Sequence, residues 1–222
     1  MLETFNFRVI FEYMPFFLKC FTATLWLSGV GLVGALAVGT LACAMRISGS
    51  KLLSTAAGVY IESIRSTPLL VQIYFFYFGL PSLGIMVTEE ITGVVALSLN
   101  SGAYIAEILR AGVQSIPFGQ IEASLSSGLS YFQRMRYIVF PQALGVTIPP
   151  MLGQSIVLVK DSALLSLIAV TELTRAGQIM TSERFMPAEG FFTSAVFYLV
   201  IYFMLKSLAG WSEKRLIFRE SR

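Results

Sequence analysis

Eight polar side chains stand inside runs of otherwise apolar sequence: Gln72, Asn100, Ser101, Tyr104, Glu107, Gln154, Lys160 and Asp161. Amide, hydroxyl and charged groups in such surroundings are costly to bury, so they face a cavity or pair with one another. Together they offer donors and acceptors of both signs, which is the chemistry of holding a polar ligand. Two competing readings stay open. Glu107 can form an ion pair with Arg110 three residues on, as Glu62 can with Arg65. Lys160 and Asp161 are either a gating pair or a lysine snorkelling from the end of a span.

Covalent chemistry is poorly served by the same sequence. It contains no histidine, which removes Ser-His triads, histidine metal sites and histidine haem ligation together. Cys20 and Cys43 are 23 positions apart in one apolar stretch, roughly 34 Å along a helix, so they cannot pair with each other. No Gly-x-x-x-x-Gly-Lys-Ser/Thr loop is present, and any dependence on ATP must come from a partner.

A second constellation lies in the polar stretch Gln114 to Arg136, bracketed by Pro117 and Pro141. Leu125, Leu129 and Phe132 recur at i, i+4 and i+7 beside Gln133, Arg134 and Arg136, which predicts a short amphipathic helix. Its apolar face can lie on lipid headgroups or fill a groove on a protein partner. Gly128 permits close backbone approach, and Glu122 can hold a turn by accepting backbone N–H groups near a helix N-terminus.

The elements that carry these groups follow from composition. Of the 222 residues 55% are hydrophobic and 13% charged, and the mean hydropathy is +0.73, too few charges for a water-facing globule of this size. A bilayer core needs about 20 apolar helical residues. Uncharged runs of that order predict an all-α membrane protein with about five transmembrane helices. These are Cys20–Met45; Ser66–Thr88, continuing a helix from Leu52–Arg65 that Pro68 should bend; Ile91–Gly112; Tyr137–Val159, distorted by Pro141, Pro149 and Pro150; and Gly190–Gly210. The first run is too long for a signal-peptide core and no cleavage site follows it. Within it Gly31, Ala35, Gly39 and Cys43 fall four apart, the spacing of a close packing seam. The aromatics Tyr74 to Phe78 read as an interfacial belt. Ser162–Thr171 reads as a re-entrant or interfacial helix, and residues 3–17 as a helix along the membrane surface. Residues 1–15 then form an interfacial segment, 16–211 one membrane domain, and 212–222 a cytoplasmic tail.

Charge placement orients the chain. With the N-terminus outside, eleven of the sixteen Lys and Arg fall on the cytoplasmic side and five outside, the expected positive-inside bias. The topology is N-out/C-in. Five spans without a visible repeat argue against a secondary transporter, the lack of a filter or charge ring against a channel, and the lack of a convergent nucleophile, base or metal set against a membrane enzyme.

Glu122-Ala123-Ser124, Gly128, Ile138 and Phe140-Pro141 resemble the Glu-Ala-Ala-x3-Gly-x9-Ile-x-Leu-Pro signature of ABC-importer permeases, with Ser124 for the usual Ala and Phe140 for Leu. Tyr60–Gln72, Leu99–Gly112, Ser115–Gln120 and Leu158–Ser162 are similar to the polar amino-acid branch, the permeases for histidine, arginine, glutamine, glutamate and cystine. Ser66 stands where Gly is frequent and Ser162-Ala163 where Thr-Ser is. The resemblance implies a type I ABC importer permease fold in the bacterial inner membrane with a cytoplasmic coupling helix. Glu122, Ala123, Ser124, Leu125, Gly128, Leu129, Phe132 and Arg134 would then meet the ATPase. It implies as partners a cytoplasmic ABC ATPase dimer holding the ATP and Mg, a second permease subunit, an extracytoplasmic amino-acid-binding protein and the lipid bilayer, with no cofactor in this chain and no nucleic acid.

Overall fold

A computed structural model describes the backbone of residues 5–220 and the side chains of residues 5–211. Glu3 at one end, and Lys214, Arg215, Arg219 and Arg222 of the tail, lie outside the described side chains. Every regular element is helical among the described residues. Among the described residues four helices are long and apolar enough to cross a membrane.

Helix α1 (Phe7–Arg46) runs 40 residues without a break, about 60 Å, twice the thickness of a bilayer core. Asn6 caps it by accepting from the Arg8 amide at 3.1 Å, and Arg46 closes its last turn, where a cation suits the helix dipole. Residues 7–17, expected as a separate surface helix, are its continuous first part. That part is held by α8 (Leu173–Arg184) and α9 (Pro187–Glu220): the Phe17 and Phe197 rings stack at 6.1 Å, the Tyr13 hydroxyl donates to Glu183 at 2.5 Å, and Arg184 pairs with Glu12.

The centre of the fold is α4 (Glu89–Gln114), packed against α1 along the expected small-residue seam. Gly31, Ala35, Gly39 and Cys43 are all buried there. The Ser98 hydroxyl donates to the Gly31 carbonyl at 3.2 Å, and a methyl added to Gly39 would lie 2.7 Å from Ile105 and 2.9 Å from the Gly102 carbonyl. Close van der Waals approach, rather than water exclusion, holds helices together in lipid. Leu97, Ile105, Ile73 and Leu158 fill the adjoining core.

The second expected span is two helices, not one bent helix. Helix α2 (Lys51–Arg65) stops at Ser66, and α3 (Leu69–Ser82) restarts after Pro68. Proline lacks the amide the helix needs and pushes the preceding residue out of the helical region. Each piece is about 22 Å long, short of a crossing alone, and the break falls midway between their outer ends. On α3, Phe75 and Phe78 are exposed as a belt would be, while Tyr74, Phe76 and Tyr77 pack on the core.

After α4 come α5 (Phe118–Ser126), a turn, and α6 (Tyr131–Arg134), which runs through a five-residue π-helix (Met135–Val139) into α7 (Phe140–Asp161). Pro141, the first of three prolines in α7, offers no amide to the Tyr137 carbonyl one turn back, which favours the wider register there. Leu125, Leu129 and Phe132 do not share one helix: Leu125 lies in α5, Leu129 in the connection and Phe132 in α6. A 3₁₀ helix (Ser162–Ile168) continues α7. Its Ser162, Leu165, Ser166 and Ile168 are buried within the bundle, which argues against the interfacial alternative and leaves the re-entrant one. Helix α8 has no counterpart in the apolar pattern.

Candidate functional site

The α2–α3 break opens an inner surface between the helices. A cleft of about 520 Å3 lies between it, α4 and α7, with Arg65, Ser66, Thr67, Asn100, Tyr104, Gln154 and Asp161 on its walls. The Arg65 guanidinium sits 5.3 Å over the Tyr104 ring, a cation–π arrangement that leaves the group charged. A cationic and a carboxylate side chain thus share one cleft with two amides.

Of the eight sequence candidates, Asn100, Tyr104, Gln154 and Asp161 line this cleft. Ser101 stands behind them, accepting from Gln154 at 3.3 Å. Gln72 is only 7% exposed and serves the backbone: its amide nitrogen donates to the Ile64 and Thr67 carbonyls at 2.9 and 3.1 Å, closing the end of α2. Its oxygen accepts from Asn100 at 3.1 Å, so it orients a cleft residue without reaching the cleft. Glu107 is bound by Arg110 and approached by Arg65 at 3.8 Å, the ion-pair alternative. Arg65 thereby turns to Glu107 rather than to Glu62. Lys160 is exposed and absent from the cleft walls. Arg65, Ser66 and Thr67 were missed as candidates; Pro68 was the signal, since a broken helix at membrane depth exposes backbone and side chains to a cavity.

At the far end of α4 the second constellation forms a compact loop. Helix α5 ends in a Schellman motif: the Gly128 amide donates to the Leu125 carbonyl at 2.9 Å and the Leu129 amide to the Ser124 carbonyl at 3.1 Å. Gly128 takes φ +74°, the left-handed conformation that glycine adopts without penalty. Glu122 does not hold this turn. It lies mid-helix in α5, and the turn is closed by backbone groups and by the Ser127 hydroxyl on the Ala123 carbonyl. Ser124 is buried and donates to the Ile121 carbonyl at 2.6 Å, which accommodates a hydroxyl where Ala is usual. Ser130 and Gln133 form a capping box that starts α6. Arg134 lies 5.6 Å over the Tyr131 ring. Phe118, Leu125, Tyr131 and Phe132 are exposed, Phe132 at 82%. Ala123 is exposed with them and Leu129 half-buried. Together they leave an apolar surface flanking the turn.

A helical membrane protein with a polar cleft between its helices and an apolar loop at one end has the parts a transport subunit needs. Residues 20–218 match the model of the binding-protein-dependent transport system inner membrane components, and the chain belongs to that family. It is 39% identical over 214 residues to the glutamine transport system permease protein GlnP of Escherichia coli strain K12, covering 96% of this chain and 98% of that one. A solved amino acid ABC transporter with histidines superposes with a TM-score of 0.92 at 35% identity, covering 96% of this chain and 99% of its own. The inward-facing MetNI methionine ABC transporter, with a TM-score of 0.75 at 21% identity over 92% of this chain and 98% of its own, shares the fold. The fold is that of a type I ABC importer permease, and the chain is an amino-acid ABC permease of the bacterial inner membrane.

Proposed function

We propose that this chain moves a polar amino acid of the glutamine class into the cytoplasm through the Arg65–Asp161 cleft, driven by ATP and Mg held on a separate ATPase dimer. The observation that carries the reading is the cleft itself. Arg65 offers a counter-charge for an α-carboxylate, Asp161 one for an α-ammonium, and the amides of Asn100 and Gln154 can satisfy an uncharged polar side chain. The glutamine relative supports the same substrate class.

The chain works beside a second permease subunit, identical or paralogous, and receives its cargo from an extracytoplasmic binding protein. The loop at Glu122–Arg134 faces the cytoplasm and docks on the ATPase, with Leu125, Leu129 and Phe132 as the apolar contact around Gly128. Reporter fusions after Ser48 and Gln120 should read cytoplasmic and one after Glu90 external; a cytoplasmic signal at Glu90 would invert this orientation.

The deciding experiment is uptake of L-glutamine into proteoliposomes containing the permease, its co-expressed ATPase and its binding protein. Uptake should require ATP, persist when a protonophore collapses the proton gradient, and fall in the Asn100→Leu variant at unchanged membrane abundance and ATPase assembly. Glutamine uptake indifferent to ATP refutes the mechanism, and normal kinetics in Asn100→Leu removes the cleft from the pathway.

A further inference from the structure

The Gln142 side chain of α7 donates from one amide nitrogen to two acceptors: the Gln120 side-chain oxygen on α5 at 2.6 Å and the Ile138 carbonyl at 2.9 Å. A carbonyl only accepts, so the Ile138 bond fixes which end of the Gln142 amide faces the loop, and Gln120 must then present its oxygen. The Ile138 carbonyl belongs to the π segment, where the Phe140 amide reaches back to Met135 and the regular ladder is interrupted. Gln142 is thus held by a feature of its own helix and aimed at α5.

We infer that Gln142, acting through Gln120, is a positioning residue that ties the ATPase-facing helix α5 directly to the transmembrane helix α7 across a sequence separation of 22. The inference rests on the reading of α5 as part of the ATPase contact. The covalent route from Gln120 to Gln142 is soft in two places. One is the turn at Gly128, whose conformation only a glycine-like residue adopts freely. The other is the π segment, where helices bend. A displacement of α5 would be absorbed at either joint before it reached the cleft residues Gln154 and Asp161, which α7 carries three and five turns further on. The glutamine pair spans both joints. Gln120 lies in the first turn of α5 and Gln142 in the first turn of α7, so a push on one helix end arrives at the other.

The test uses the assembled transporter in proteoliposomes, with L-glutamine as the probe and uptake per ATP hydrolysed as the readout. Gln142→Met and Gln120→Met keep side-chain length and remove the hydrogen bond. Each should leave ATPase retention and basal hydrolysis near normal while lowering the coupling ratio about five-fold, the scale of one neutral hydrogen bond. The double variant should be no worse than either alone, and Gln120→Glu combined with Gln142→Lys should restore coupling through a charge pair. Additive losses, a failed restoration, or an unchanged ratio in Gln142→Met overturn the tie. Gly128→Asp, measured in parallel, separates the two ideas. If it uncouples the transporter while Gln142→Met does not, the tie alone fails; if it couples normally, the α5 contact fails and the tie with it.

Discussion

Arg110 holds Glu107 one turn away on α4 through two hydrogen bonds, Nε to Oε1 at 2.9 Å and Nη2 to Oε2 at 2.6 Å. Both side chains are partly buried, and Arg65 approaches the same carboxylate from α2. A planar guanidinium matched to a carboxylate is a geometry that neither Lys nor Gln reproduces. Glu107→Gln leaves two arginines without their counter-charge and should lower stability by about 1.5–3 kcal/mol. Thermal unfolding in detergent measures this. Arg110→Lys should cost a large part of the same amount. A Glu107→Gln protein as stable as the native one would show that the pair contributes nothing.

The seam between α1 and α4 makes a sharper steric prediction. Gly39→Val places carbon atoms where Ile105 and the Gly102 carbonyl already lie, while Gly29 on the same helix has nothing within 4 Å of an added Cβ. Overpacking of this kind costs about 1–3 kcal/mol. Gly39→Val should reduce folded protein in the membrane and its unfolding temperature, and Gly29→Val should leave both unchanged. Equal behaviour of the two variants would remove the seam from the account of the fold.

How far these features were readable in the sequence depends on which forces made them. The helices α1, α4, α7 and α9 come from apolar runs that the bilayer alone demands, and the Glu107–Arg110 pair from local spacing. Helix α8 was invisible because its sequence is polar: its start is fixed by Glu172, whose role depends on burial against Tyr198 of α9. The period of Leu125, Leu129 and Phe132 imitated a helix across a turn, although Gly128 stood where a Schellman motif needs it. The apolar setting of Gln72 says only that its amide must be satisfied, by a ligand or by the protein. What satisfies it is the end of α2, which Pro68 had left open.

Glu172 links stability to pH. It is fully buried, caps α8 by accepting from the Thr174 and Arg175 amides at 2.8 and 2.7 Å, and accepts from the Tyr198 hydroxyl at 2.7 Å. Burial pushes its carboxyl above the ordinary value of 4.5, against the opposing pull of those hydrogen bonds. The folded state therefore favours the protonated form. Its contribution is complete below the ordinary value and is lost as pH rises through the raised one. Unfolding followed from about pH 5 to about pH 8 should show the native chain losing stability relative to the Glu172→Gln variant, which cannot ionise. Parallel curves for the two proteins would mean that the carboxyl titrates as it does in water.

At Gly128 a backbone requirement coincides with the proposed ATPase contact. Its φ of +74° completes the Schellman motif that ends α5, yet nothing lies within 4 Å of an added Cβ. A side chain there meets no clash inside the chain. The penalty within the fold is therefore conformational, roughly 1–2 kcal/mol for an ordinary residue, and Asn and Asp adopt the left-handed region more readily than others. This separates the two requirements by substitution. Gly128→Asn tests the surface with a tolerated backbone, and Gly128→Asp adds a charge of nearly the same shape beside Leu125, Leu129 and Phe132. Desolvating that charge against a partner is unfavourable. Gly128→Val instead strains the turn without adding charge. All three variants should insert in the membrane, since no span is altered. Gly128→Asn should retain most glutamine uptake. Gly128→Asp and Gly128→Val should lose ATP-driven uptake, and Gly128→Asp should also lose its ATPase subunit on purification. Ser130→Asp is the control, because aspartate caps a helix as well as serine does and sits two residues from the turn. If Gly128→Asp supports glutamine-stimulated hydrolysis and uptake as well as the native chain and Ser130→Asp do, the apolar surface around this turn is not where the ATPase docks.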